Sequence, residues 1–415
     1  MNDVTAPRDP IARILEAAGS VFFTAGFERT SVDMIAASAR MSKQSIYESF
    51  PSKLALFEAT VRSTLDQAWL NMTAVDDTQD VETTLTRYGL RVFEGYFSSI
   101  SFGMFRANIA AARHFPELAS ELHIQRLRTS QPLADYLEKL RSTGQIGPID
   151  PQAMAIRFGG LVVEGSRYFL GAPKPDANAR ATIAARAVHL FLNGYQNMPI
   201  EPAPPHETPP LHAPELAGTA TLRLSPDKLL ALVNAAEKEF QTQGYHRASI
   251  DRVAAAAHVS KATIYRQFGN KEKLLRYIIQ RHIFETYNQP IAIDNRPADL
   301  ESALALFARQ MLDLNLSPCS IEMHRLIIEE IELVGDLARN FHDLRAQKVG
   351  DALSTLLQQF NAPPASDAAR LAFYLLSTFA VRFVTSTQLP SSELRRRYSQ
   401  ETAQLFLYGI RNARG

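Results

Sequence analysis

Forty residues of this chain occur twice. The stretch AAGSVFFTAGFERTSVDMIAASARMSKQSIYESFPSKLAL from Ala17 returns from Ala235 as AAEKEFQTQGYHRASIDRVAAAAHVSKATIYRQFGNKEKL, without a gap and with 18 of 40 positions identical. Gly26/Gly244, Asp33/Asp251, Ser42/Ser260, Lys43/Lys261, Tyr47/Tyr265, Phe50/Phe268 and Lys53/Lys271 are among the matches. A fainter echo follows. Arg106 with Pro116-Glu117-Leu118-Ala119 answers Arg325 with Gly335-Asp336-Leu337-Ala338, and LFLNG from Leu190 answers LFLYG from Leu405. A chain that repeats itself in this way must build one architecture twice. Between the copies, Met198 to Gly218 is rich in proline, which fixes φ and removes backbone donors, so an extended linker is predicted. Its roughly 20 residues reach about 60 Å at ~3.1 Å each, enough for copy two to fold back on copy one. The predicted division is 1–60, 61–197, the linker 198–222, 223–278 and 279–415.

Composition narrows the class. At 415 residues, with 46% hydrophobic and 21% charged residues, the chain is globular and too long for one core. The single Cys319 can form neither an internal disulfide nor a thiolate cage, which suits a reducing, cytoplasmic setting and predicts no metal or cofactor site. The opening MNDVTAPRDP has no signal-peptide pattern, and Leu371 to Val381 is about half the length of a membrane span, so no membrane partner is expected. No phosphate loop, H-E-x-x-H, C-x-x-C or serine elbow occurs, so the chain reads as a non-enzyme.

Apolar periodicity is helical throughout, predicting an all-α fold. In copy one, Ile11, Ile14, Leu15, Ala18, Val21 and Phe22 form the face of an opening helix that Gly26 ends. A second helix is expected to begin at Thr30, with Thr30 and Asp33 as a capping box, and Ala36, Ala37 and Ala39 keep it thin. Ser42 is expected to cap a third helix bearing Ile46, Tyr47 and Phe50, and Ser52 or Asn270 a fourth. In copy two, Ala248 stands where the capping threonine is expected, a predicted cost of about 1 kcal/mol. Two short helices across a longer one describe a helix-turn-helix.

In that motif the second short helix enters the major groove of double-stranded DNA. Its leading residues are Lys43, Gln44, Ser45 and Glu48 in copy one, and Lys261, Ala262, Thr263 and Arg266 in copy two. Arg266 suits guanine and Gln44 adenine, while Glu48 either accepts from cytosine or repels phosphate. Lys53 and Lys271 each follow a helix cap, where the dipole disfavours a cation unless a phosphate is close, so each is a candidate backbone clamp. Phe50 and Phe268 read as core; Tyr47 and Tyr265 read either as core or as phosphate donors. The heads differ in charge. Met1 to Leu70 holds 7 Lys+Arg against 8 Asp+Glu, whereas Arg223 to Pro290 holds 11 against 6, so the second head is expected to carry more of the binding energy.

The sequences GF-x-x-TSVDMIA…SKQSIYESFPSK and GY-x-x-ASIDRVA…SKATIYRQFGNK resemble the DNA-binding domain of the TetR family of bacterial transcriptional regulators. The likeness covers about 50 residues per copy. It implies phosphate contacts from Ser31, Tyr47 and Lys53 and from Ser249, Tyr265 and Lys271, with Thr30 in the same interface. Groove contacts would come from Lys43 to Ser45 and Lys261 to Thr263. Arg40 and His258 stand where the family has a turn glycine. The resemblance further implies helical ligand-binding and dimerising bodies, hence an unidentified small-molecule effector and repression. Candidate ligand residues are Trp69, Phe93, Tyr96, Phe97, Phe105 and Arg106, near Phe102, and in copy two Phe307, Met311, His324 and Arg325, near Met323. The plainer reading of the aromatics is core packing, and of the arginines a buried ion pair. The last two helices of each copy are placed at about 151–171 and 176–197, and at 366–388 and 391–411, with Gly159-Gly160 permitting close approach. Those four helices form either an intramolecular pseudo-dimer or, between chains, a homodimer. A rival reading is a helical interaction protein in which the second head alone, or neither, binds DNA.

Overall fold

The computed structural model describes residues 9–71, 75–97, 99–166, 168–196, 198, 224–287, 291, 297–378, 383–386 and 388–413. Among them the regular structure is helical, with no strand. Copy one contributes α1 (Pro10–Ala25), α2 (Val32–Ala39), α3 (Lys43–Ser49), α4 (Lys53–Asn71), α5 (Val81–Tyr96), α6 (Ser99–His114), α7 (Pro116–Arg128), α8 (Gln131–Ser142), α9 (Pro151–Gly165) and α10 (Ala177–Asn193). Copy two contributes α11 (Pro226–Arg247), α12 (Ile250–Ala256), α13 (Lys261–Phe268), α14 (Lys271–Tyr287), α15 (Leu300–Asn315), α16 (Pro318–Glu329), α17 (Ile331–Gln359), α18 (Asp367–Thr378) and α19 (Ser392–Tyr408). The linker from 199 to 222 lies outside the described residues.

The chain divides into two units: residues 1–144, 150–159 and 385–388, and residues 145–149, 160–384 and 389–415. In the first, the expected face of α1 is the core, with Ile14, Ala18 and Phe22 fully buried against Ile35, Ile46, Leu56 and Phe57. Phe22 meets Phe57 edge-on at 5.2 Å between ring centroids, and Phe27 meets Phe115 of the α6–α7 turn at 5.5 Å. Each buried ring of this kind contributes about 2–3 kcal/mol. The head is thereby fastened to α6 and α7. The rest of this unit is filled by Leu85, Tyr88, Phe93, Leu137 and Phe158, all buried.

The second unit holds the second head, the body of copy two and the last helix of copy one. Arg276 of α14 donates to both carboxylate oxygens of Asp336 and to the Leu333 carbonyl, tying the head's exit helix to α17. α15 runs along α19, with Phe307 stacked on Phe373 at 5.4 Å. α10 packs on α18 and α19. There the two LFL-x-G segments cross: Tyr195 N donates to Phe406 O at 2.7 Å, Ile410 N donates to Phe191 O at 2.8 Å, and the Tyr195 ring stacks on Phe406 at 4.7 Å. Gly194 and Gly409 make this approach possible. Both have positive φ, and a Cβ on either would fall about 2.4–2.5 Å from the opposite backbone.

Two local expectations are corrected. Helix α2 is capped by Ser31, whose Oγ accepts from Met34 N, and α12 by Ser249, whose Oγ accepts from Arg252 N. Thr30 is buried instead, its hydroxyl donating to Gly26 O at 2.8 Å, so Ala248 in the second head forfeits no cap. Close approach is found at Gly194 and Gly409 and not at Gly159-Gly160, where a Cβ would meet no described atom within 4 Å.

Candidate nucleic-acid interface

Each head builds the same surface from the same local physics. Ser42 and Ser260 cap α3 and α13 by accepting from Ser45 N and Thr263 N, each at 3.0 Å. The turn ahead of them forces Arg40 (φ 53°) and His258 (φ 51°) into the left-handed region, the strain that a glycine would relieve. Beyond the turn, Lys43, Gln44, Tyr47 and Glu48 are exposed on one face, as are Lys261, Ala262, Tyr265 and Arg266 on the other. Ser45 and Thr263 are half-buried, their hydroxyls 2.8 Å from the capping serine's.

The leading lysine of each groove helix is held from the preceding helix. Lys43 Nζ lies 2.8 Å from Asp33 Oδ2, and Lys261 Nζ lies 2.9 Å from Asp251 Oδ2. The hydrogen bond to the aspartate raises the pKa of both lysines. Both pairs are exposed and therefore weak, so they orient the ammonium groups more than they stabilise the fold. Sequence reasoning missed this pairing, although both aspartates recur in the repeat.

Lys53 and Lys271 are anchored too. Lys53 Nζ sits 4.4 Å from the Phe27 ring centre, and Lys271 Nζ sits 4.7 Å from the ring of Tyr245, the residue in the same repeat position. Lys271 also donates to Ala248 O at 2.7 Å, and burial lowers its pKa. Ser31 and Ser249 spend an oxygen lone pair on their caps, leaving their hydroxyl protons available to an acceptor. Thr30 is 3% exposed and serves the turn from inside, so it is removed from the outer face. Phe268 is buried and Phe50 half-buried, as core residues should be, while Tyr47 and Tyr265 are 42% and 39% exposed.

Two of the differences between the heads change how their side chains are paired. Gln44 donates to Glu48 at 3.2 Å, closing the groove face of α3 on itself, whereas Ala262 leaves Arg266 with no hydrogen bond or ion pair among the described residues. In the second head, Glu239 accepts from Ser249 N and from Arg252, where the first head has Val21 and Met34.

The expected ligand residues are mostly buried in the helical core. Phe93 stacks on Phe97 at 5.0 Å, and Phe105, Phe307, Met311 and Met323 are buried. Tyr96 Oη lies 3.4 Å from Thr129 Oγ1, and the Arg106 guanidinium is 6.0 Å from the Phe102 ring centre. Arg325 pairs with Glu322 at 2.5 Å and donates to Val384 O, the ion-pair alternative. His324 receives Arg345 Nη1 on Nε2 at 2.9 Å and donates from Nδ1 to Ser320 O, and burial pushes its pKa down to about 3. The Trp69 side chain lies outside the described residues. A cleft of about 700 Å³ beside the LFL-x-G crossing, with Asp299, Glu301 and Tyr408 in its wall, takes in none of these residues.

Comparison with known proteins agrees with the helix-turn-helix geometry. The family described as bacterial regulatory proteins, tetR family, matches residues 14–60 and again 232–278, and the AefR-like transcriptional repressor C-terminal domain matches 83–197. The DNA-binding transcriptional repressor TetR of Mycobacteroides abscessus is 32% identical over 80 residues, which are 19% of this chain and 42% of that protein. The HTH-type transcriptional activator FasR of Mycolicibacterium smegmatis is 40% identical over 52 residues, 12% of this chain and 24% of that protein. The chain thus spans less than half the length of these curated relatives. Among solved structures, Salmonella enterica GusR is 23% identical, with 45% of this chain and 97% of that one covered at a TM-score of 0.36. Two matching heads, each with a capped groove helix and an outward lysine and tyrosine, make this chain a member of the TetR family of transcriptional regulators, with two TetR-like units in tandem.

Proposed function

We propose that the chain is a small-molecule-responsive repressor that works as an intramolecular pseudo-dimer, its two unlike heads reading unlike half-sites of one DNA operator. The observation that carries this reading is the crossing at Gly194 and Gly409. In a self-complementary contact between two copies of one sequence, residue i meets j while j meets i. The bonds Tyr195 N to Phe406 O and Ile410 N to Phe191 O obey that rule between the two repeats. Its parts are heads at 1–60 and 223–278, bodies at 61–197 and 279–415, and the linker at 198–222. Repression is favoured by the AefR-like repressor description of the domain matched at 83–197, and effector control by the family's helical body. The experiment is light scattering combined with footprinting on genomic fragments. A particle near 46 kDa protecting two dissimilar half-sites supports the proposal. An obligate two-chain particle on a palindrome overturns it, and a reporter that falls when the regulator is deleted overturns repression.

A further inference from the structure

We propose that Glu237, His282 and Cys319 form a binding site for one divalent transition-metal ion of the zinc class, joining the second head to its body. The three side chains come from α11, α14 and α16, and their ligand atoms lie within 4.8 Å of one another. Cys319 Sγ is 3.6 Å from Glu237 Oε1 and 3.8 Å from His282 Nδ1. Around a tetrahedral zinc, with S at about 2.3 Å and N or O at about 2.0–2.1 Å, two such ligand atoms stand about 3.6 Å apart. The existing spacing therefore needs little adjustment.

The surroundings favour a cation. Gln241 Nε2 donates to Glu237 Oε1 at 3.1 Å and orients the carboxylate, as outer-shell groups around metal ligands do. The Arg345 guanidinium acts on His282 and opposes a cation, and Glu285 is paired with Arg281, but the Glu237 carboxylate lies 3.6 Å from Cys319 Sγ, which becomes a second negative charge once the metal displaces its proton. Cys319 is exposed, which gives the ion an entry and leaves a fourth position for water. On binding, the thiol gives up its proton to solvent and the sulfur lone pair takes the metal. No sequence spacing announces such a site, because its ligands are 45 and 37 residues apart on separate helices. Copy one has Gly19 and Thr64 at the positions of Glu237 and His282, so the site belongs to copy two alone and the stoichiometry should be one ion per chain.

The test titrates Co²⁺ into the full chain, reduced and stripped of metal with chelator, and reads the near-ultraviolet thiolate-to-cobalt charge-transfer band. The band should saturate at one equivalent and disappear when Zn²⁺ is added. Cys319→Ser should abolish it; this residue is exposed, so the variant should melt like the parent in chelator. Glu237→Gln should keep the band but weaken Co²⁺ binding at least tenfold. Zn²⁺ should raise the melting temperature of the parent and leave that of Cys319→Ser unchanged. Absence of the band at one equivalent, a band that survives Cys319→Ser, or saturation at two equivalents would each overturn the proposal. All these readouts are independent of DNA binding, so failure here is distinct from failure of the proposed function.

Discussion

At the scale of single residues, the two groove faces are chemically unlike despite their shared scaffold. Arg266 is exposed with no hydrogen bond or ion pair among the described residues, while Gln44 and Glu48 satisfy each other. A bidentate arginine on guanine is worth about 1–3 kcal/mol. Arg266→Ala should therefore weaken operator binding about fivefold or more in a gel shift, and Lys43→Ala or Lys53→Ala should each cost less than about threefold. Equal losses from both heads would show that the charge difference between them is irrelevant. His324 supports a second prediction. Its pKa of about 3 in the folded chain lies below its ordinary value of 6.5, so the unfolded chain binds the extra proton between those limits. Stability contributed by the neutral imidazole is complete above pH 6.5 and declines as pH falls, by about 1.4 kcal/mol per unit. Urea unfolding at pH 7, 6 and 5 in chelator should show stability falling with pH, with His282, whose pKa burial also lowers, adding to the loss, and His324→Gln should flatten the fall by up to one proton; an unchanged slope would assign it to other groups. Lys43 and Lys261 were legible from the repeat and Arg266 from its place on the second short helix, whereas the exposure of Tyr47 and Tyr265 was one of two open readings. The aspartates that hold Lys43 and Lys261 were not, because they lie on the preceding helix, and sequence spacing does not show which side chains face each other across a turn.

At the scale of elements, the helices follow from apolar periodicity, and their ends show where a pattern underdetermines geometry. T-S-x-D permits either hydroxyl to cap. Packing decides, since Thr30 is drawn into the core where Gly26 O accepts its proton, which leaves Ser31 at the helix end. Ser31→Ala and Ser249→Ala should each lower unfolding stability by about 1 kcal/mol, whereas Ala248→Thr should add no cap and gain nothing. Gain of a full kilocalorie from Ala248→Thr would restore the capping-box reading. The glycines make the same point. Gly159-Gly160 and the two LFL-x-G glycines look equally suited to close approach, yet only the latter combine positive φ with an opposing backbone. Gly194→Ala or Gly409→Ala puts a Cβ against main chain that cannot move aside, in a conformation that alanine disfavours, at a cost of about 2–4 kcal/mol in thermal unfolding.

At the scale of the whole molecule, the proposed pseudo-dimer would turn an association between chains into one within a chain. For separate subunits, the fraction assembled depends on protein concentration. In the proposed pseudo-dimer a linker of this length would set an effective concentration on the order of millimolar, so pairing through α10 and α19 should be insensitive to expression level. A protease site placed within residues 205–212 separates these contributions. Before cleavage, the mass and the apparent DNA affinity should stay constant on dilution from micromolar to nanomolar protein. After cleavage, the two fragments should remain together at high concentration, because the backbone bonds at Tyr195 and Ile410 and the Tyr195–Phe406 stack do not involve the linker. They should then separate on dilution, with a parallel loss of affinity for a two-half-site operator and with any residual binding belonging to the second head. Retention of full affinity by the cleaved protein at nanomolar concentration would mean that pairing owes nothing to the linker. A mass of two chains before cleavage would mean that α10 and α19 pair between chains, and that the tandem arrangement presents four heads instead of two.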